Sequence, residues 1–316
     1  MTHRFRQIAF AGLVIVVAAG AAALALIWAP DRSVAELSAR WAPPPSTFIR
    51  VGDHTLHLRD EGPRYSLPPI VLLHGTSASL HTWDGWVDSL IPTRRVVRFD
   101  LPGFGLTGPA PDDDYRIITY AKLVVAVLDT LRIPRAILAG NSLGGEIAAR
   151  VSSLAPDRVA ALGLVDPAGF PIDYVSIPIG FKLARDPVAA PLLKHVLPRH
   201  IVRSSVENVY GDPTRVTDAL VDRYFELTLR EGNRAALPIR FAQESNGADT
   251  AFFSAITAPT LILWGDKDRL IPPDHSARWL RAVKGSTLVR YPQLGHVPHE
   301  EGPAETLRDV RKFLAR

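Results

Sequence analysis

The chain has 316 residues, of which 47% are hydrophobic, enough to fill the core of one large α/β domain or of two smaller ones. It contains no cysteine, which excludes disulfide frameworks, thiolate zinc sites and cysteine nucleophiles. The net charge of +4 is spread along the chain, with no dense basic run and no nucleic-acid-binding motif, so no nucleic-acid partner is predicted.

The N-terminal residues differ from all that follow. Two arginines stand before an apolar run from Ile8 to Trp28, which as a helix would be roughly 31 Å long. This pattern predicts a cytoplasmic tail over residues 1–7 and a transmembrane anchor over residues 8–28, with the catalytic domain on the extracytoplasmic side, periplasmic or extracellular. Secretion after cleavage of a signal near Ala23-Leu24-Ala25 is the alternative, and a long buried helix is a third.

After this run the composition changes. Residues 29–47 are rich in Pro, Ser and charge, and Pro43-Pro44-Pro45 favours a stiff extended linker. A strand hairpin begins near Phe48, and short runs of Val, Ile and Leu then alternate with segments of helical spacing. This alternation predicts an α/β fold, with a mostly parallel sheet and helices on both faces. The predicted strands after the hairpin are residues 70–73, 96–99, 136–139, 161–165, 261–264 and 287–291, and the predicted helices are 118–131, 146–154, 273–283 and 304–314.

One interval breaks the alternation. Between about Pro171 and Ile256 no convincing strand occurs, and the helical stretches are short and broken by Pro and Gly. This predicts a helical cap over residues 171–256, inserted into a core formed by residues 48–170 and 257–316. Placed over the strand ends, the cap would shape a pocket and exclude water from it. An irregular outer layer without a role in binding is the alternative.

The segment Gly140-Asn141-Ser142-Leu143-Gly144 fits the pattern G-x-S-x-G, after a predicted strand and before a predicted helix. A sharp turn between the two would hold Ser142 in a strained backbone conformation, and glycines on either side would avoid collisions. Ser142 is therefore the candidate nucleophile. The amide of Leu143, at the start of the helix, is a candidate donor to an oxyanion.

A serine nucleophile needs a base to remove its proton and an acid to orient that base. His296 lies in the loop after the last predicted strand, which returns to the edge where Ser142 would sit, and it is the candidate base, with His299 as runner-up. Asp266 and Asp268 follow the preceding strand, and either could reach the imidazole. Six further histidines are assigned to the tail, the hairpin or solvated faces: His3, His54, His57, His195, His200 and His275.

These segments, taken in order, resemble the α/β-hydrolase superfamily, in particular its cap-bearing branch of esterases, carbon-carbon bond hydrolases and cofactor-free haloperoxidase-like enzymes. The resemblance implies Asp268 as the acid, because it is the second carboxylate of the family's Gly-x-x-Asp pattern. It also implies the amide of Thr76 as the second oxyanion donor, and a structural role for His74. The matching segments, within residues 48–316, are Leu72-Leu73-His74-Gly75-Thr76, Asp100-Leu101-Pro102-Gly103-Phe104-Gly105, Gly140–Gly145, Trp264–Pro272 and Gly295–Pro298.

The departures from the family narrow the prediction. Haloalkane dehalogenases and epoxide hydrolases of similar outline carry Asp where this chain has Ser142, so those activities are not predicted. The glycine-rich oxyanion loop common in carbon-carbon bond hydrolases is replaced by Thr76-Ser77-Ala78-Ser79. No cofactor is expected, since no nucleotide-binding glycine fingerprint or P-loop occurs in a supporting context. No metal is expected either, because Asp112-Asp113-Asp114 is interpreted as a solvated loop.

The predicted function is a membrane-anchored serine hydrolase that cleaves a carboxylic ester of an apolar or lipid-like substrate through an acyl-enzyme on Ser142. Carbon-carbon bond or amide hydrolysis by the same triad is the first alternative. A non-catalytic ligand-binding protein that keeps the fold is the second.

Overall fold

The computed structural model describes residues 2–64, 67–244 and 250–315. Its centre is an eight-stranded sheet with the strand order β1-β2-β4-β3-β5-β6-β7-β8. The strands are β1 (Thr47–Val51), β2 (His54–Glu61), β3 (Ile70–Leu73), β4 (Val96–Phe99), β5 (Ala136–Asn141), β6 (Val159–Val165), β7 (Thr260–Gly265) and β8 (Thr287–Tyr291).

The first two strands form an antiparallel hairpin, and β2 also pairs with β4 in the antiparallel sense. The strands from β3 to β8 pair in parallel, so their carboxyl ends meet at one edge of the sheet. All residues of β3, β4, β5 and β7 are buried, as expected for parallel strands covered on both faces. The predicted mostly parallel sheet is confirmed.

Helices cover both faces of the sheet. Val124, Ile147 and Trp279, from three helices, belong to the core on one face, and Trp86 and Leu307 belong to the core on the other. The helices are α1 (Thr2–Ile27), α2 (Val34–Trp41), α3 (Asp84–Leu90), α4 (Ile117–Thr130), α5 (Leu143–Leu154), α6 (Ile179–Arg185), α7 (Ala189–Leu193), α8 (Arg199–Val209), α9 (Asp218–Thr228), α10 (Asn233–Ala242), α11 (His275–Ala282), α12 (Pro298–Glu301) and α13 (Pro303–Leu314).

In the described part of the interval where the sequence predicts a cap, five helices, α6 to α10, lie between β6 and β7. They have an apolar cluster of their own, in which Val202 and Val206 of α8 pack with Val221 of α9. Val297, from the loop after β8, joins the same cluster. The five helices, called the cap below, are therefore packed onto the carboxyl edge of the sheet.

The segment predicted as an extended linker contains helix α2. Ser33 caps this helix, since its Oγ accepts a hydrogen bond from the Glu36 amide while the Glu36 carboxylate accepts one from the Ser33 amide. Leu37, on the inner side of α2, is buried against Leu106 and Leu227. The prolines after the helix suggested a spacer, but the pattern Ser-x-x-Glu before them is a helix-start signal, and the leucine gives the helix a surface to pack on.

Residues of this N-terminal segment are bonded to the cap. The Asp31 carboxylate accepts a hydrogen bond from the Arg234 guanidinium of α10 at 2.5 Å. Trp41 Nε1 donates to the carboxylate of Glu226 in α9 at 2.7 Å. The segment is thus part of the packed structure and not a free spacer.

In the part of the chain that the structure describes, no helix has the length and apolarity needed to cross a membrane. The predicted transmembrane anchor over residues 8–28 is therefore wrong, and so are the extracytoplasmic location and the membrane partner that depended on it. Helix α1 occupies most of this range. The end of α1 contacts the cap, where the Leu197 amide donates to the Ile27 carbonyl at 3.1 Å.

Candidate active site

Ser142 is the single residue between β5 and α5. Its backbone has φ +53° and ψ −116°, a region that residues other than glycine rarely adopt. Hydrogen bonds hold this strained turn, since the Ser142 amide donates to the Val165 carbonyl at 3.0 Å and the Ser142 carbonyl accepts from the Ala168 amide at 3.1 Å. The side chain therefore stands at the carboxyl edge of the sheet, as the sequence motif predicts.

The glycines around Ser142 are required by close backbone packing. A Cβ atom on Gly140 would lie 2.1 Å from the carbonyl oxygen of Gly144. One on Gly144 would lie 2.2 Å from the carbonyl oxygen of Leu73. Both distances are far below van der Waals contact, so any side chain at either position would displace the turn that presents the serine.

His296 and Asp268 form a buried pair. His296 Nδ1 lies 2.6 Å from Asp268 Oδ2, and Asp268 Oδ1 accepts hydrogen bonds from the amides of Leu270 and Ile271 at 2.8 and 2.9 Å. With Nδ1 donating its proton to the carboxylate, the lone pair of His296 is on Nε2. No hydrogen-bond partner of Nε2 is found among the described residues. This nitrogen is therefore available to accept a proton.

Asp266, the other candidate acid, is oriented elsewhere. Its carboxylate accepts a hydrogen bond from Arg290 Nε at 2.6 Å. The structure thus brings Asp268, and not Asp266, to His296, in agreement with the choice that the family resemblance implies.

Ser142 and His296 line one pocket, which measures about 820 Å³ and is called the Ser142 pocket below. Thr76 and Leu143 line it as well. Leu143 is the first residue of α5, and an amide at that position has no acceptor within its own helix. Four of the five predicted site residues therefore face the same space, and Asp268 lies behind His296.

Asp166, at the end of β6, is a buried carboxyl that the sequence analysis missed. Its Oδ1 accepts a hydrogen bond from the Gly265 amide at 2.9 Å. Burial, together with the neighbouring Asp268 carboxylate, raises the pKa of Asp166 well above its usual range. An aspartate directly after a buried parallel strand, at the edge where the other site residues lie, was the available signal.

Asp166, Asp268 and His296 have atoms within 4.8 Å of one another, a spacing that could also hold a metal ion. A cation there would compete with the bond between His296 Nδ1 and Asp268. The trio is better suited to orienting the imidazole than to binding a metal.

Two further histidines have structural roles. His299, the runner-up base, packs on Trp83 with its ring 4.1 Å away, and its Nε2 lies 3.1 Å from Thr82 Oγ1. Burial lowers the pKa of His299 well below its usual range, so it remains neutral. His74 Nε2 accepts a hydrogen bond from the Leu101 amide at 2.9 Å, and its Nδ1 donates to the Gly75 carbonyl at 2.7 Å. Both side chains hold loops of the site in place.

A second imidazole–carboxylate pair lies away from the Ser142 pocket. His57 Nδ1 is 2.8 Å from Asp100 Oδ2, and His57 Nε2 is 3.0 Å from Ser46 Oγ. Arg59 Nε also donates to Ser46 Oγ, at 2.8 Å. The assignment of His57 to an ordinary hairpin position therefore missed a buried polar contact. The prediction of solvated faces is also wrong for His275, which is buried in α11.

Residues 68–303 match the family described as the alpha/beta hydrolase fold. The chain belongs to the alpha/beta hydrolase family. This confirms the predicted resemblance and fold class, apart from the transmembrane helix.

Relatives of this hydrolase have several activities. The dihydrolipoyllysine-residue acetyltransferase component of the acetoin cleaving system of Pseudomonas putida is 29% identical over 78% of this chain, which spans only 64% of that relative. The 2-hydroxymuconate semialdehyde hydrolase of Pseudomonas sp. (strain CF600) is 28% identical, covering 85% of this chain and 93% of the relative. Among solved structures, a membrane phospholipase A, described as a novel bacterial virulence factor, is 25% identical with a TM-score of 0.70, covering 98% of each chain.

Proposed function

We propose that this hydrolase is a serine hydrolase that cleaves a carboxylic ester with an apolar acyl group. The single observation that carries the ester assignment is a large apolar pocket that adjoins the Ser142 pocket. The serine mechanism is supported by the strained turn at Ser142 and by the free Nε2 of His296, which line the same space.

The proposed reaction follows from these groups. Ser142 Oγ attacks the ester carbonyl carbon while His296 Nε2 accepts its proton, and Asp268 stabilises the imidazolium that forms. The amides of Thr76 and Leu143 donate to the oxyanion of the tetrahedral intermediate. His296 then gives the proton to the departing alcohol. In the second half of the reaction it activates a water molecule, which releases the acid and restores Ser142.

The apolar pocket measures about 870 Å³ and shares Ser77 and Ala78 with the Ser142 pocket. These residues directly follow Thr76, so an acyl group whose carbonyl oxygen lies at the Thr76 amide is close to the entrance of the apolar pocket. Burial of each CH₂ group there contributes about 0.8 kcal/mol, or roughly a fourfold gain in binding. The apolar lining includes Phe104, Phe181, Leu193, Leu197, Ile201, Val202, Leu227 and Leu237.

Hydrolysis of a carbon-carbon bond by the same triad is the second candidate. The relative named 2-hydroxymuconate semialdehyde hydrolase matches almost the whole of its own length, and similarity by itself supports this alternative better than ester cleavage. The Ser142 pocket also has a binding group for an anionic substrate, since Arg185 and Arg240 both line it and share one carboxylate, that of Glu244.

The test compares the full-length protein with its Ser142→Ala variant on p-nitrophenyl esters from acetyl to dodecanoyl, and on 2-hydroxymuconate semialdehyde. We expect kcat/KM to rise by roughly threefold to fourfold per added CH₂ until the apolar pocket is filled. Turnover should fall by about 10⁵-fold to 10⁶-fold in Ser142→Ala.

Three other outcomes would contradict the proposal in different ways. Turnover of the semialdehyde but of no ester would select the carbon-carbon reaction. Ester turnover that survives in Ser142→Ala would remove the nucleophile assignment. A folded protein that turns over neither substrate and does not react with a fluorophosphonate would be a non-catalytic member of the family.

A further inference from the structure

Glu146 is a buried carboxyl that the proposed reaction does not use. It lies in the first turn of α5, four residues after Ser142, and is only 8% exposed. Among the residues that the structure describes, no hydrogen bond to its carboxyl group is found. A buried carboxyl without a partner costs several kcal/mol to ionise, so its position calls for an explanation other than stability.

Glu146 lines a third pocket, of about 750 Å³, called the polar pocket below. This pocket shares Ala168, Ile172, Tyr174, Arg240 and Glu244 with the Ser142 pocket. It shares none of its lining with the apolar pocket, which adjoins the Ser142 pocket through other residues. One molecule with its ester group at Ser142 can therefore extend into both pockets.

Most other polar groups of the polar pocket already have partners. The Tyr115 hydroxyl accepts from the Ala110 amide and donates to Asp113. The Gln243 side chain accepts from the Tyr115 amide at 2.7 Å and donates to the Asp113 carbonyl at 2.8 Å. The Glu146 carboxyl is thus the group best placed to receive a hydrogen bond from a bound molecule.

The charges around Glu146 select the kind of group it can bind. Burial raises the pKa of Glu146 to about 7, against the effect of the nearby Arg240 and Arg150 guanidinium groups. These two cations disfavour a positively charged ligand, while Glu244 and the ionised form of Glu146 disfavour an anion. A neutral hydroxyl meets neither repulsion, because it can donate to the carboxylate or accept from the protonated acid.

We infer that the polar pocket binds the alcohol part of the ester through a hydrogen bond between a free hydroxyl and Glu146. The preferred substrate is then an ester of a polyhydroxy alcohol, of the glycerol type, with an apolar acid in the second pocket. This inference rests on the proposed ester hydrolysis. In the reaction itself, the alcohol leaves with the proton from His296, and its second hydroxyl stays unchanged.

The experiment compares two esters that have the same acyl group, 1-octanoylglycerol and ethyl octanoate. The measured quantity is the ratio of their kcat/KM values for the full-length wild type, for Glu146→Leu and for Glu146→Gln. Glu231→Gln, at an exposed position in the loop before α10, is the matched control because it removes the same charge. We expect the wild type to prefer the glycerol ester by at least about tenfold, as one hydrogen bond to a charged group provides.

The Glu146→Leu variant should lose this preference, mainly through a higher KM for the glycerol ester, whereas Glu231→Gln should keep it. Glu146→Gln retains a hydrogen-bonding side chain and should keep part of the preference. Its preference should also be independent of pH, while that of the wild type should rise between pH 6 and pH 8 as Glu146 ionises beside Arg240, Arg150 and Glu244. If Glu146→Leu does not fold, the pH dependence of the preference in the wild type and in Glu146→Gln tests whether Glu146 binds the hydroxyl.

The inference is overturned if the wild type does not prefer the glycerol ester. It is equally overturned if Glu146→Leu slows both esters by the same factor, since Glu146 would then have only a structural role. Either result leaves ester hydrolysis standing. Absence of wild-type turnover on both esters would overturn the proposed function and this inference with it.

Discussion

Among the described residues there are two buried imidazole–carboxylate pairs, and we propose a catalytic role for one of them, His296 and Asp268. In both pairs the Nδ1 atom lies close to a carboxylate oxygen, at 2.6 Å for His296 and Asp268 and at 2.8 Å for His57 and Asp100. The pairs differ at Nε2. That of His296 has no partner among the described residues and its ring lines a pocket, whereas that of His57 contacts a serine hydroxyl that also accepts from Arg59.

The two serines differ as well. Ser142 has a positive φ in a turn where neighbouring glycines make room for it, and Ser46 does not. Ser46 precedes an edge strand and does not line the Ser142 pocket. A serine, a histidine and an aspartate in hydrogen-bonding sequence therefore do not define an active site. Two features distinguish the two regions. One is a histidine Nε2 without a described hydrogen-bond partner on a ring that lines a pocket, and the other is a serine with a positive φ in a tight turn.

The largest expected difference between the regions is in turnover. Asp268→Asn should lower kcat by roughly 10⁴-fold, because an amide cannot hold the His296 imidazole in the tautomer with a free Nε2 lone pair. Asp100→Asn should retain turnover in the fraction of protein that is folded. Steady-state kinetics on one p-nitrophenyl ester, with active sites counted by fluorophosphonate labelling, would measure both. Equal losses in the two variants would contradict the distinction.

The second expected difference is in stability. Here we expect a large effect from substitution of Asp100, the carboxylate of the pair outside the Ser142 pocket. The Asp100 carboxylate accepts hydrogen bonds from the amides of Leu80 and Leu106 at 2.7 and 2.8 Å, besides its contact with His57. Asp100→Asn leaves part of this buried set unpaired and should lower the free energy of unfolding by about 3–5 kcal/mol at pH 7. Denaturant unfolding followed by fluorescence would measure it, and Ser46→Ala is a suitable control with an expected loss of only about 1 kcal/mol.

The smallest expected effect is on how the stability of the protein depends on pH in acid. Burial opposes ionisation of Asp100, but His57 and the neighbouring His74 and His81 together hold the pKa of this carboxyl below its ordinary value. A depressed folded-state pKa stabilises the protein above the unfolded-state pKa of about 3.9, and this stabilisation is lost as the pH falls through the folded-state pKa. The stability gap between wild type and Asp100→Asn should therefore be widest above about pH 4 and narrow below it. A gap that stays constant in acid would show that the charge of Asp100 is unimportant.

Local patterns in the sequence predicted most of the core. The strand predicted over residues 70–73 coincides with β3, and that over 287–291 coincides with β8, because short apolar runs between turns are typical of buried parallel strands. The predicted helix over residues 118–131 differs from α4 by one residue at each end. The catalytic roles at the carboxyl edge stay predictions, although the structure brings the proposed residues together as the family resemblance implies.

Contacts between distant residues could not be predicted in this way. His57 and Asp100 are 43 residues apart, and nothing in the hairpin pattern shows that an aspartate comes to lie beside the histidine. The predicted transmembrane anchor rested on the length of one apolar run, and no described helix has the length and apolarity needed to cross a membrane. The polar pocket also depends on tertiary packing, because Glu146 and Arg240 come from the core and the cap.

The bonds between the N-terminal segment and the cap bear on protein engineering. Arg234 is 5% exposed and forms an ion pair with the Asp31 carboxylate. The indole of Trp41 donates a hydrogen bond to the Glu226 carboxylate. A chain shortened to begin at Ser46 would leave a buried guanidinium and a carboxylate without these partners. Chimeras that exchange the cap between relatives should therefore exchange the stretch from Asp31 to Trp41 together with it, so that these contacts are kept.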